Sequence, residues 1–374
     1  MRFGKSCSLG VTAVNKRAII LFTCLWILLP SYPVQGTEDI WGELLSTGEY
    51  YTLLGPEEQV LWETGHQMYL QDQYLGADNN LYEVVEVDEK NRLARTELVE
   101  RTELEVFPWN ELRKELGLTV IEGTQQTERG KIALYHTHNA ESYVPSDGAE
   151  SINGQGGIHQ VGQAFADALR ELGIGVDYSE TLHLPHDRGA YRRSRETVLE
   201  LLSGEPDAVF DVHRDAAPQS AYAIQLQDEW MTQVMFVVGR QNQNLGVNRK
   251  YAQSLKAIGD DLFPGLIRGI FYGRGNYNQD LSPLSLLLEV GAHTNSRPAA
   301  ERGISLFAEV VDLYFYGPVA EAGRADQGRA AMRSVWGVLA FTGVLAIAVY
   351  VINVGGFGAA LERVRARLGR SRLE

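Results

Sequence analysis

The sequence predicts an α/β fold: a three-layer sandwich on a mainly parallel sheet, preceded by a small, mostly β module and followed by a C-terminal transmembrane helix. Three observations carry this expectation. From Lys131 to Tyr316, short apolar runs alternate with longer stretches in which apolar residues recur every three or four positions, the pattern of strands joined by amphipathic helices. Residues 37–125 are acidic and offer only short strand-like runs. Val335 to Val354 is an uncharged apolar stretch, long enough to cross the hydrocarbon core of a bilayer.

The elements follow in order. In the acidic module, Tyr50 to Leu54, Gln67 to Leu70, Leu81 to Val87 and Arg92 to Val99 read as strands, the last two joined by Asp88-Glu89-Lys90-Asn91. The module holds His66 as its only histidine and is therefore assigned no chemistry, with positioning or partner contact as its expected role. The polar segment Gln125 to Gly130 reads as a linker into the catalytic segment, residues 126–316. There the candidate strands are Ile132 to Tyr135, Gly175 to Tyr178, Ala208 to Val212, Val234 to Val238, Ile267 to Tyr272 and Leu284 to Glu289. Between them, Ile158 to Leu172 sets Val161, Phe165, Ala168, Leu169 and Leu172 on one helical face. Ser194 to Leu202, Asn248 to Leu262 and Ala299 to Phe315 are the other candidate helices.

Charge and cysteine usage narrow the function. The net charge is −14, although the first seventeen residues and the tail after Ala359 are both basic, so the body between them is more acidic still. Phosphate binding needs clustered Lys and Arg, which excludes a nucleic-acid partner. Both cysteines, Cys7 and Cys24, lie in the leader, so the body has neither disulfide nor thiolate ligand. Residues 1–36 read as a signal or signal-anchor segment around Ala18 to Leu29. A polar linker (317–334) leads to the span 335–354 and a basic tail (355–374) carrying Arg363, Arg365, Arg367, Arg370 and Arg372. The positive-inside bias places that tail in the cytoplasm and the catalytic segment outside the cell membrane.

The chemistry sits at strand ends. His136, His138 and Glu141 follow the first strand of the catalytic segment, His213-Arg214-Asp215 ends the third, and Glu289 ends the sixth. Loops leave a rigid sheet at such ends, and neutral imidazoles with carboxylates suit zinc. Two His and one Glu leave an open position, so His138, Glu141 and His213 are the candidate ligands and Glu289 the candidate general base. His136 shares strand parity with His138 and is placed behind it, as a hydrogen-bonding support or an alternative ligand. Arg214 is a candidate for oxyanion stabilisation or ligand orientation, with Asp215 beside it. His293 and the loop Tyr277 to Leu281, with Asn278 and Asp280, are candidates for substrate binding. His159, His183 and His186 are assigned ordinary surface roles.

The segments Tyr135-His-Thr-His-Asn-Ala-Glu-Ser-Tyr143, Asp211-Val-His-Arg-Asp215, Val237-Val-Gly239, Tyr277-Asn-Gln-Asp-Leu281 and Leu287-Leu-Glu-Val-Gly291, with Thr294-Asn295, stand in an order that resembles the stage II sporulation protein P family. That family comprises the cell-wall amidases of endospore formers and is similar to the zinc N-acetylmuramoyl-L-alanine amidases. The resemblance implies a zinc amidase sandwich, with His138, Glu141 and His213 on zinc and Glu289 as catalyst. It also implies action on septal peptidoglycan during engulfment, beside stage II sporulation proteins D and M. Cleavage of peptide bonds within or between stem peptides is the alternative chemistry. An inactive peptidoglycan-binding adapter is the alternative class.

Overall fold

The computed structural model describes residues 48–109 and 129–317, with Leu45, Glu111, Leu112 and Leu116. The leader, residues 318–334 and the apolar stretch Val335 to Val354 lie outside them. Among the described residues no helix is long and apolar enough to cross a membrane.

The fold is mixed α/β and dominated by one sheet. Its strands are β1 (Tyr51–Leu54), β2 (Val60–Thr64), β3 (Gln73–Leu75), β4 (Asn80–Asp88), β5 (Leu93–Arg101), β6 (Lys131–Tyr135), β7 (Gly175–Tyr178), β8 (Ala208–Asp215), β11 (Val234–Gly239), β12 (Ile267–Gly273) and β13 (Ser285–Ala292). They run in the order β2-β1-β5-β4-β3-β12-β11-β13-β8-β6-β7. A hairpin, β9 (Ala223–Leu226) and β10 (Glu229–Thr232), forms a separate two-stranded sheet that the sequence pattern does not reveal. In the C-terminal part, β12/β11, β13/β8, β8/β6 and β6/β7 pair in parallel, while β11/β13 is antiparallel.

Helices α1 (Val144–Asp147), α2 (Ile158–Glu171), α3 (Ala190–Leu202), α4 (Leu245–Leu262) and α5 (Arg297–Tyr316) complete the chain. Residue parity sorts the two faces. Leu134, Phe210, Val212, Phe236, Val238, Leu286 and Leu288 share a core with the buried stripes of α2, α4 and α5, Phe165, Tyr251 and Phe307 among them. Each fully buried aromatic or aliphatic side chain there contributes roughly 1.5–3 kcal/mol. The alternate residues face the other way: Ala133, Tyr135 and Val209 pack with Val198 of α3, and Met235, Val237 and Leu287 with aromatic residues of the N-terminal strands. His213 and Glu289 fall on this second face, because strand residues two apart share a side.

The N-terminal strands are continuous with the rest of the sheet. β3 pairs antiparallel with β12, setting Tyr74 opposite Phe271. From that edge the sheet turns back over its own face, so Trp62 of β2 stacks on Tyr74 at 5.5 Å and meets Phe271 at 5.2 Å. The strands read over residues 50–54, 81–87 and 92–99 are present. Gln67 to Leu70 is irregular, and the second strand is Val60–Thr64. The expectation of a module set apart therefore gives way to one sheet: a buried face of Tyr51, Trp62 and Tyr74 needs a partner surface, and β11 to β13 provide it.

After Glu289 the strand carries a bulge. Glu289 pairs with His213 but Ala292 pairs with Asp215, one extra residue being absorbed around Gly291 at φ +72°. A Cβ on Gly291 would lie 2.6 Å from Thr232 Cγ2. We expect Gly291→Ala to destabilise the protein by about 2–4 kcal/mol, from left-handed strain and overpacking together. Urea unfolding will measure it.

Candidate metal centre

The β6, β8 and β13 ends meet on the second face. Tyr135 is paired with Asp211, and His213 with Glu289 directly across parallel strands. Asp211 ties the first two ends together: its Oδ1 accepts the Thr137 backbone N–H at 2.8 Å and its Oδ2 the Thr137 hydroxyl at 2.7 Å. The same Oδ1 lies 2.9 Å from Nε2 of His213, although poorly aligned for a hydrogen bond. That contact directs the His213 Nδ1 at the centre, as carboxylates behind metal-binding imidazoles do.

Three nitrogens converge on one carboxylate oxygen. Nδ1 of His138 and Nδ1 of His213 each lie 3.3 Å from Oε1 of Glu141, and Nε2 of His186 lies 3.8 Å from it. One ligand atom each from His138, Glu141 and His186 falls within 4.8 Å of the others. Glu141 Oε2 is held by the backbone N–H of Arg214 at 3.0 Å, leaving Oε1 for the centre. His138 Nε2 donates to the Asp187 carbonyl at 3.3 Å, so in the neutral ring the lone pair is on Nδ1, an atom buried without a hydrogen-bond partner. A lone pair facing a carboxylate oxygen calls for a cation between them. Imidazole nitrogens with a carboxylate are the donors zinc takes, so the residues present fit the ion.

Electrostatics agree. Burial alone would raise the Glu141 carboxyl, but His213, His138 and Arg214 outweigh it and hold it well below the usual carboxylate range. Burial opposes charge on His213, yet Asp211 and Glu141 on either side drive its imidazole well above the ordinary value. A proton on His213 thus occupies the place a metal ion would take, and metal uptake has to displace it.

The structure sets His136 apart from His138. β6 ends at Tyr135, so strand parity stops there and the two imidazoles separate. His136 turns inward, Nδ1 donating to Val212 O at 2.7 Å and Nε2 lying 2.8 Å from the Tyr178 hydroxyl, which also reaches His159 O at 3.0 Å. Both nitrogens are used, and burial holds its pKa down to about 3. Helix α2 approaches at Gly162, where a Cβ would meet His136 Nε2 at 2.5 Å. His136 is a neutral structural residue beneath the centre.

Other expectations shift. Arg214, placed by sequence as an oxyanion contact or ligand orienter, spends its guanidinium on Ser142 O and Glu150 O, and so fixes the loop that carries Glu141. Asp215 accepts Gly65 N–H at 2.8 Å and the Tyr222 hydroxyl at 2.8 Å, fastening β2 to the centre. Asn278 donates to Tyr191 O and Ser194 Oγ, and Asp280 makes a two-pronged pair with Arg195 at 2.8 Å. These two hold the loop behind Tyr191, whose ring stacks on His213 at 6.2 Å. His293 is partly exposed, with Nδ1 unbonded.

Two histidines that sequence reading set aside belong to the site. His186 sits in the Pro185 loop before α3, which Arg193 braces through His183 O and Asp187. His66 Nε2 lies 2.9 Å from Glu289 Oε1. Neither stands at a strand end near a motif, so sequence spacing offered no signal for them. His183 is buried too, bonded to His136 O and Thr197 Oγ1.

The α/β fold thus gathers His and Glu side chains at strand ends beside a buried carboxylate, a donor set that suits a metal ion. The family described as Stage II sporulation protein P (SpoIIP) matches residues 52–312, and the chain belongs to that family. Stage II sporulation protein P of Bacillus subtilis (strain 168) is 30% identical over 205 residues, covering 50% of this chain and 51% of the relative. The chain thus spans about half the length of that curated relative. Among solved structures, Cwp6 from Clostridium difficile matches with TM-score 0.32 and 16% identity, over 49% of this chain and 28% of that one. The CwlD amidase from Clostridioides difficile, in complex with the GerS lipoprotein, matches with TM-score 0.29 and 16% identity, over 48% and 94%. The family assignment rests on the sequence match alone.

Elemental analysis of purified variants will separate the roles. We expect His138→Ala and His213→Ala to lose bound zinc, whereas His136→Gln keeps it and loses about 1–3 kcal/mol of stability. Because Asp211 and Glu141 raise the His213 imidazole well above its ordinary value, zinc affinity should fall as pH is lowered. Calorimetry in buffers of different ionisation enthalpy will then show proton release on binding.

Proposed function

We propose that this chain is a zinc-dependent peptidoglycan hydrolase that cleaves the amide between N-acetylmuramic acid and the L-alanine of the stem peptide. The observation that supports it most is the pairing of Glu289 with His213 across β13 and β8, beside the convergent Nδ1 atoms of His138 and His213 and Oε1 of Glu141. In this reading His138, Glu141 and His213 hold zinc, with His186 on the solvent side at 3.8 Å from Glu141. When bound, zinc supplies a Lewis acid that lowers the pKa of water and polarises the amide carbonyl.

The proton work falls to Glu289. Burial raises its carboxyl above the usual value while His66 opposes the shift, which suits a base acting near neutrality. Its Oε2 is buried and unbonded, and takes the proton of the attacking water. The same oxygen returns that proton to the departing alanine nitrogen. His293 is partly exposed near Arg214, and its exposed ring edge, not the buried Nδ1, is what is left to contact substrate.

The site works outside the cell membrane in this proposal. Val335 to Val354 tethers it, the arginine-rich tail stays in the cytoplasm, and septal peptidoglycan is the substrate during engulfment. Stage II sporulation proteins D and M are the partners the family suggests. The zinc amidase sandwich is the architecture this function would use.

Product analysis is the test. Purified full chain with zinc should release stem peptides with new L-alanine amino termini and leave glycan length unchanged, whereas a glycosidase makes new sugar ends. Glu289→Gln should retain stoichiometric zinc and lose at least about a hundredfold in kcat. Severed cross-links with every lactyl-alanine amide intact would establish the endopeptidase instead, and binding without any cleavage the adapter. For topology, a reporter active only outside the membrane should work when fused near residue 325 and be silent after Glu374. Equal activity at both junctions would remove the C-terminal span.

A further inference from the structure

Glu289 is held from a part of the chain 223 residues away. His66 follows β2 in the N-terminal strands, and its Nε2 lies 2.9 Å from Glu289 Oε1. Both groups are almost wholly buried, with side-chain exposures of 2% and 3%. No other hydrogen bond reaches the Glu289 carboxylate among the described residues: Oε2 has no partner. The orientation of the carboxylate therefore depends on His66.

The placement of His66 is built rather than incidental. Its ring lies among Trp62, Phe271 and Tyr277, at centroid distances of 6.2, 5.5 and 6.4 Å. Its backbone N–H donates to Thr64 Oγ1 at 3.1 Å. The preceding Gly65 lies flat against the end of β8, where a Cβ would stand 2.6 Å from Ala216 Cβ. Gly65 N–H is gripped by Asp215 Oδ1 at 2.8 Å, two residues beyond His213. Asp215 thus registers β2 against the strand that carries His213, and His66 arrives opposite Glu289.

We propose that His66 is a positioning residue for Glu289: its Nε2–H donates to Oε1, fixes the carboxylate plane and leaves Oε2 directed at the substrate, so that the N-terminal strands complete the active site. The inference rests on the reading of Glu289 as the general base. It assigns residues 51–101 a part in turnover, through one imidazole, beside their part in the core. Burial opposes charge on His66, yet its bond to Glu289 raises the imidazole above its ordinary value, which keeps the proton on Nε2; Nδ1 is buried without a partner.

The test uses the full chain with zinc and compares His66→Ala, His66→Gln and Glu289→Gln. His66→Ala should lower kcat about tenfold to a hundredfold through misplacement of Oε2, with KM and bound zinc unchanged. His66→Gln, whose amide can donate to the same oxygen, should recover most of kcat. Imidazole nitrogen NMR of the wild-type chain should show His66 protonated at Nε2, with that resonance shifted in Glu289→Gln. Equal losses in the Ala and Gln variants would mean that His66 only fills space. Wild-type kcat in His66→Ala, or a His66 protonated at Nδ1 alone, would overturn the proposal while Glu289→Gln remains inactive. Full turnover by Glu289→Gln would instead overturn the reading of Glu289 as base.

Discussion

The pairing register of β8 with β13 is the constraint on which the site depends. His213 and Glu289 are opposite one another on adjacent parallel strands and face the same side. A slip of one residue would turn either into the helix-covered core, where Phe210, Val212, Leu286 and Leu288 sit. The apolar alternation in both strands therefore does two things at once. It buries one face under α2, α4 and α5, and it aligns a metal-type ligand with a candidate base on the other.

That second face is expensive to build. His138, Glu141, Asp211, His213 and Glu289 are all buried, and charges removed from water destabilise a fold unless paired and hydrogen-bonded. Much of that cost is met locally. Asp211 takes the Thr137 N–H and hydroxyl, Glu141 takes the Arg214 N–H, and Asp215 takes three donors from Gly65, Ala216 and Tyr222. At the centre itself His138 Nδ1, His213 Nε2 and Glu289 Oε2 stay buried without a partner.

The return of the N-terminal strands over the sheet has an ordinary apolar cause with a chemical consequence. Trp62, Tyr74, Met235 and Phe271 bury one another, and the area they remove from water favours the closed arrangement without regard to direction. Direction comes from Asp215, which grips Gly65, and from the close approach permitted by the missing Cβ. Hydrophobic burial brings the strands near, and one carboxylate sets where His66 stands.

Local pattern was enough for most of the catalytic segment. Six strands and four helices between Lys131 and Tyr316 lie where periodicity puts them, since apolar alternation and helical stripes are properties of neighbouring residues. His138, Glu141, His213 and Glu289 were legible because they stand at strand ends, and the parallel sheet gathers such ends. The role of His136 was not, because strand parity fails once β6 stops at Tyr135. His66 and His186 were out of reach for a different reason. Nothing near either in sequence carries chemistry, and each gains its neighbours only when a loop or a strand pair crosses the sheet. Sequence by itself determined the alternating α/β body, its acidic charge and the residues poised at strand ends. Tertiary structure decided the continuity of the sheet, the separation of His136 from His138 and the arrival of His66 at Glu289. Those depend on contacts between residues far apart in the chain, made where burial and backbone hydrogen bonds can be satisfied together.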